Sequence, residues 1–251
     1  MPDFSRGAEK STPLKVALRK HIITLRQSLP ESLLQSSAAA IQNHLGSLLP
    51  TLISPPPAPP DAPPGRPSPS APAPDALSAR TAAHTAPGGP SRTGEPVTIA
   101  AYVPIGSEPG GPGLPEFLAA ALPPDGRLLL PVLLEDGDLD WARYDGPASL
   151  STGPRGLREP VGQRLGVDAI RAALLVVVPA LAVDTAGRRL GRGGGSYDRA
   201  LARVSSALTV ALLHDGELVD AVPAEKHDQP VGAAITPRSG VTLRADPDWT
   251  K

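Results

Sequence analysis

Leu174-Leu-Val-Val-Val178 is apolar at every position. A strand with one wet face alternates apolar and polar residues. A strand without that alternation has to be covered on both faces, inside a sheet with a layer on each side. The rest of the chain fits such a sheet. Val97–Val103 and Leu208–Leu213 are short apolar runs with β-branched members, and Arg127–Leu134 and Ala233–Ile235 read as further strands. Helical patterns over Leu114–Leu122 and Tyr197–Leu208 lie between them. Asp136-Gly-Asp138 makes a turn, after which Leu139–Tyr144 alternates as an antiparallel return strand. Leu150–Gly166, with several Gly, Pro and Arg, reads as loop. Strands alternating with helices predict an α/β fold, a mostly parallel sheet flanked by helices.

Two helices precede these strands. Thr12-Pro13 reads as an N-cap with proline at the first helical position. Leu14, Leu18, Ile22, Leu25 and Leu29 then recur at helical spacing, while Lys15, Arg19 and Arg26 fall on a different stripe. Ser28-Leu-Pro-Glu31 restarts a second helix with Leu34, Ala38, Ile41, Leu45 and Leu48 on its apolar face, and Pro50 is expected to end it.

Between that helix and the first strand lies a stretch of another kind. Residues 54–96 hold 14 of the 33 prolines and no aromatic residue. Such a Pro/Ala/Ser-rich segment cannot bury enough apolar surface to offset chain entropy, so it is expected to be disordered. Its position leaves two readings, a linker between domains or an insertion within one.

Composition removes several classes of function. With 24 basic and 25 acidic residues the net charge is −1, which favours neither nucleic acid nor an anionic membrane as partner. The absence of cysteine removes disulfides, Cys-ligated zinc, iron–sulfur clusters and thiol catalysis. The five histidines show no metal-ligand spacing. Met1–Lys10 has no apolar core of a secretory signal. The longest apolar run, Ala172–Val183, falls short of the ~20 residues that span a bilayer and contains Pro179. A cytoplasmic protein acting on small molecules is expected.

The most informative segment is Arg188-Arg-Leu-Gly-Arg-Gly-Gly-Gly-Ser-Tyr-Asp198. Gly191, Gly193, Gly194 and Gly195 let backbone amides approach a ligand closely, and Arg188, Arg189 and Arg192 supply cations. A helix starting near Ser196 adds partial positive charge. A polyphosphate needs this combination; a basic surface loop is the other reading. It is neither a Walker A loop nor the dinucleotide fingerprint, because no Lys-Ser/Thr follows the glycines and Ser196 stands at the third glycine position. Asp198 serves either the helix dipole or a Mg²⁺ ion beside phosphate, and Asp228 in the polar loop Glu225-Lys-His-Asp-Gln-Pro230 is a second candidate ligand. Glu108, in Tyr102-Val-Pro-Ile-Gly-Ser-Glu108, leaves a buried strand at its carboxyl end, where α/β sheets bind ligands, and can accept hydrogen bonds from a heterocycle. Tyr102, Trp141, Tyr144 and Tyr197 either line a flat pocket or pack in the core.

In this order the segments resemble the 5-formyltetrahydrofolate cyclo-ligase (methenyltetrahydrofolate synthetase) family. The matching pieces are Lys15-Val-Ala-Leu-Arg19, Tyr102–Glu108, Leu130-Pro-Val132 with Trp141-Ala-Arg-Tyr144, Val178–Asp184 with Arg189–Asp198, and Val222-Pro-Ala-Glu-Lys-His-Asp228. The resemblance implies the three-layer, Rossmann-like fold of this group (NagB/RpiA/CoA transferase-like). It implies a single domain over residues 11–251 interrupted by the 54–96 insertion, and a monomer. It also implies ATP- and Mg²⁺-dependent closure of 5-formyltetrahydrofolate to 5,10-methenyltetrahydrofolate, with ADP and phosphate released. The formyl oxygen takes the γ-phosphoryl group, N10 attacks the resulting iminium carbon, and phosphate leaves. Carried onto this sequence, Lys15 and Arg19 are ATP contacts, and Arg189, Leu190, Gly191, Arg192, Gly193, Gly194, Gly195, Ser196 and Tyr197 form the phosphate loop. The stretch Arg192–Ser196 also borders the folate, Val103 and Glu108 contact it, Arg192 and Tyr197 are catalytic, and Asp198 and Asp228 bind Mg²⁺. The family usually has two tyrosines before the aspartate where this chain has Ser196-Tyr197, and some members carry lysine at Gly194. A non-catalytic nucleotide- or folate-binding relative is the alternative reading. A sugar-phosphate isomerase or acyl-transfer enzyme on a similar sheet is a third.

Overall fold

A computed structural model describes residues 13–53, 95–153 and 156–244. The expected N-cap Thr12 and residues 54–94 of the proline-rich stretch lie outside the described residues.

A seven-stranded sheet organises the chain. In chain order its elements are β1 (Thr98–Ala100), β2 (Arg127–Leu133), β3 (Leu139–Arg143), β6 (Leu175–Pro179), β9 (Leu208–Leu212), β11 (Ala233–Thr236) and β12 (Gly240–Leu243). Their order across the sheet is β12-β11-β9-β6-β1-β2-β3. The five central strands pair in parallel, and only the edge strands β3 and β12 run antiparallel, as hairpin partners of β2 and β11.

Strand β6 sits in the middle, with its residues divided between two cores. Leu175 and Val177 pack on one face with Ile99, Leu130 and Val210. Val176 and Val178 pack on the other with Ala100, Leu129 and Ala211. The first face is covered by helices α2 (Glu31–Ile53) and α3 (Leu114–Ala120) through Ile41, Leu45, Leu48, Leu114 and Leu118. The second is covered by a 3₁₀ helix at Val167–Ala172 and by α4 (Ser196–Leu201) through Ile170, Ala200 and Leu201. Each fully buried Val or Leu contributes about 1.5–3 kcal/mol relative to an exposed one, so a strand apolar on both sides is favoured in this central place.

Helix α1 (Pro13–Gln27) departs from its leucine periodicity. Leu14 is 69% and Leu25 52% exposed, while Lys15, Ile22 and Arg26 are buried. The stripe that turns inward carries Lys15 and Arg26, which form ion pairs with residues some 190–210 positions away, alongside the buried Ile22. Helix α2 runs one turn past Pro50, to Ile53. Helix α4 ends at Leu201, well short of the expected Leu208.

Two small sheets were not visible in the pattern. Strands β4 (Leu150–Thr152) and β5 (Arg158–Pro160) form a hairpin inside the expected loop. Strands β7 (Ala182–Asp184), β8 (Arg189–Leu190) and β10 (Leu218–Val219) form a three-stranded sheet in the order β10-β7-β8 beyond the end of β6, and α1 packs on it through Ile22 against Leu181, Ala182 and Leu190. Among the described residues no helix is long and apolar enough to cross a membrane.

Candidate functional site

The carboxyl ends of β1, β2 and β6 open into a cavity of about 540 Å³, within the range common for small-molecule sites. Lys15 and Arg19 from α1, Val103 and Glu108 from the loop after β1, the run Arg189–Asp198, and Asp228 all line it. Arg188, the remaining candidate cation, does not, and its Nε donates to Asp184 Oδ2 at 2.6 Å instead. Of the four aromatic candidates, Tyr102 and Tyr197 line it as well. Trp141 is fully buried in the second core. Tyr144 donates to Glu116 Oε1 at 2.7 Å, away from the cavity wall.

The glycine loop starts from β8, so Arg189 and Leu190 are buried and only Gly191 onward is free of strand pairing. Gly193 has φ +98° and Gly195 φ +67°, conformations that other residues rarely adopt. A Cβ on Gly193 would come within 3.3 Å of the Arg19 guanidinium. Glycine here lets the loop and the cation share one small space. Arg19 Nε donates to the Gly191 carbonyl at 2.9 Å, joining α1 to the loop. With only six residues in α4, the anion-binding capacity falls to the loop amides and the arginines rather than to a long helix dipole.

The hydroxyl of Ser196 turns away from this work. It donates to the Gly137 carbonyl at 2.5 Å, and Arg199 Nη2 donates to the same oxygen at 2.6 Å. The β2–β3 turn thus braces the glycine loop from outside. Sequence reasoning did not anticipate this use of Ser196; a lone serine carries no pattern that distinguishes a brace from a ligand contact.

Both candidate metal ligands are carboxylates in ion pairs. Asp198 Oδ1 accepts from Arg189 Nη2 at 2.7 Å and from the Gln229 amide at 3.2 Å. Asp228 Oδ2 accepts from Lys15 Nζ at 2.8 Å and from the Glu225 amide at 2.7 Å. Glu225 Oε1 also lies 3.1 Å from Lys15 Nζ. Burial would raise the Asp228 carboxyl, but the Lys15 ammonium and the Glu225 amide outweigh it and hold it below the usual range. Burial likewise opposes the charge on Lys15, and the two carboxylates more than compensate. Both groups are therefore charged at neutral pH. These hydrogen bonds use Oδ1 of Asp198 and Oδ2 of Asp228, and Asp228 Oδ1 lies 3.7 Å from His227 Nε2. Among the described residues no group of three or more His, Asp or Glu side chains is arranged to hold a metal unaided. Two carboxylates suit Mg²⁺, which commonly takes one or two from the protein and completes its shell with phosphate oxygens and water.

Glu108 closes the other side. Its Oε2 accepts from the Ile105 amide at 3.0 Å, and its Oε1 accepts from Arg192. The Tyr197 hydroxyl oxygen is buried without a hydrogen-bond partner among the described residues. Its burial, reinforced by nearby Glu108, pushes the phenol far above its ordinary range, so it stays protonated. His227 is exposed and lies 3.5 Å from Glu225 Oε2.

Comparison with known proteins gives a consistent result. The profile of the 5-formyltetrahydrofolate cyclo-ligase family matches residues 90–237. The 5-formyltetrahydrofolate cyclo-ligase of Mycolicibacterium smegmatis is 43% identical over 150 residues, covering 57% of this chain and 75% of that protein. The NMR structure of Aquifex aeolicus 5,10-methenyltetrahydrofolate synthetase superposes with a TM-score of 0.59 at 24% identity, over 93% of this chain and 94% of that one. A 5,10-methenyltetrahydrofolate synthetase from Mycoplasma pneumoniae gives 0.56 at 17% identity, over 88% and 96%. These two likenesses are of fold.

Proposed function

The chain belongs to the 5-formyltetrahydrofolate cyclo-ligase family, and from that premise we propose that it converts 5-formyltetrahydrofolate and ATP to 5,10-methenyltetrahydrofolate, ADP and phosphate in the presence of Mg²⁺. What supports this reading is one juxtaposition. The glycine loop, Lys15, Arg19 and the two aspartates line the same cavity as Val103 and Glu108, and Arg192 of the loop reaches Glu108.

In this reading the loop amides from Gly191 to Gly195, with Lys15 and Arg19, hold the triphosphate. Asp198 and Asp228 hold Mg²⁺ together with phosphate oxygens; when bound, the ion offsets charge on the phosphoryl group in flight. Glu108 accepts the N–H groups of the pterin ring. The formyl oxygen then attacks the γ-phosphorus, the β–γ bridge oxygen leaves with ADP, N10 closes onto the formyl carbon and gives up its proton, and the formyl oxygen departs with phosphate. Arg192 stabilises the negative charge that builds on transfer, and the Tyr197 hydroxyl donates to an oxygen of the reacting group. No covalent enzyme intermediate is required; alignment and fixed charge supply the acceleration. The enzyme reading carries with it a cytoplasmic monomer.

The deciding experiment follows methenyl product spectroscopically with 5-formyltetrahydrofolate, with and without ATP and Mg²⁺. Product that depends on both is expected, and well-folded protein that yields none would overturn the proposal.

A further inference from the structure

The loop that carries Glu108 is held from behind by a histidine that belongs to neither wall of the cavity. His214 follows β9 and is buried. Its Nε2 lies 2.9 Å from the Ser107 carbonyl, and its Nδ1 lies 3.0 Å from Ser37 Oγ on α2. A carbonyl oxygen only accepts, so the ring hydrogen sits on Nε2, and Nδ1 accepts from the serine hydroxyl. Both ring edges are thus fixed.

The backbone under the ring is fixed too. Glu217 Oε2 accepts from the His214 amide at 2.8 Å, and the same carboxylate takes two hydrogen bonds of 2.7 Å from Arg26. Arg26 also donates to the Ala180 carbonyl at 2.6 Å. The histidine therefore stands on a buried ion pair that joins α1, the end of β6 and the turn after β9.

Hydrogen bonds between Ile105 and Glu108 set the shape of the loop, and the Tyr102 hydroxyl, donating to the Pro109 carbonyl at 2.6 Å, closes its far end. Among the described residues, two hydrogen-bonded contacts reach residues 104–108 from outside it: Arg192 to Glu108, and His214 to Ser107. The first engages the carboxylate that is to take the ligand. The second does not.

We propose that His214 is the positioning residue of the folate side of the cavity, placing Glu108 through the Ser107 carbonyl without touching substrate. The proposal rests on the reading of Glu108 as the pterin acceptor.

The test uses the full chain with His214→Ala and His214→Gln, the latter keeping an amide donor on a long side chain. Alanine should raise KM for 5-formyltetrahydrofolate roughly tenfold, the effect of one lost hydrogen bond, with kcat and the ATP KM within about twofold. Glutamine should recover most of it. Amide hydrogen exchange should speed up at residues 105–108 in the alanine variant, with protection in β6 and β9 unchanged. An unmoved folate KM with unaltered exchange overturns the proposal. So does a joint rise of both KM values with protection lost across the sheet, which would mark a packing role. If the parent protein turns over no 5-formyltetrahydrofolate, the functional reading fails separately, and the exchange comparison alone decides whether His214 positions the loop.

Discussion

Arg192 donates from Nε and Nη2 to a single oxygen of Glu108, at 3.2 and 3.0 Å, and so ties the glycine loop to the loop after β1. The arginine is largely exposed and the glutamate mostly buried. The link is therefore one that a competing donor can displace. In the proposed reaction, a pterin that offers its own N–H groups to Glu108 competes with Arg192 for that carboxylate.

Glu108→Gln keeps the size of the side chain and removes its charge. KM for 5-formyltetrahydrofolate should rise about tenfold or more, because a charge-assisted hydrogen bond becomes a neutral one. The ATP KM should stay within about twofold. Initial-rate measurements over both substrates check this, and an unchanged folate KM removes Glu108 from the site.

Asp198→Asn should shift the Mg²⁺ dependence of turnover upward by roughly tenfold or more, since it removes a charged ligand. A Mg²⁺ titration at saturating folate reads the shift. Equal activity of variant and parent at low Mg²⁺ would take Asp198 out of the metal site.

Ser196→Ala deletes one of the two donors to the Gly137 carbonyl. The ATP KM should rise several-fold, the usual effect of one neutral hydrogen bond. Ser196→Thr keeps a hydroxyl and should behave like the parent. A larger effect on folate than on ATP would mean that the brace steadies the wrong end of the cavity.

Asp138 accepts from Arg203 Nη1 and Nη2 at 3.1 and 2.6 Å. Burial works to raise its carboxyl, but Arg203, the Leu139 amide and Arg199 outweigh it and lower it from 3.8. A carboxyl depressed in the folded state stabilises the fold above its unfolded pKa, and that contribution disappears as pH falls through the folded value. Asp138→Asn should cost about 1–3 kcal/mol near pH 7 and make the acid limb of stability shallower. Denaturant midpoints measured from pH 7 down to about pH 3 give both quantities; parallel curves for parent and variant would refute the pair's contribution.

Replacing residues 54–94 with a short Gly/Ser linker should leave folding and turnover intact. The elements on either side of that stretch, α2 and β1, contribute Ile41, Leu45 and Ile99 to one core, so a shorter connection costs little loop entropy. Loss of cooperative unfolding or of activity would mean that the stretch contributes structure of its own.

Much of the sheet was legible in the sequence because its strands are buried on both faces and show it by their lack of alternation. The glycine loop's place at the cavity was legible too, because it follows the strongest strand by a short connection. The orientation of α1 was not legible. Its leucines recur at helical spacing, and nothing local reveals that Lys15 and Arg26 find their carboxylates at Asp228 and Glu217. Strands β7, β8 and β10 have two or three residues each, too short to carry a period. The parts of His214 and Ser196 are equally hidden, because each depends on a backbone carbonyl that any residue type would provide.

The inverted face of α1 means that this helix is tethered by charge as well as by oil. Leu14 and Leu25 face outward, Ile22 packs on the small sheet, and Lys15 and Arg19 line the cavity. A bound polyphosphate would then act as a rivet through the first helix, so saturation of the nucleotide side and locking of the amino-terminal segment become a single event.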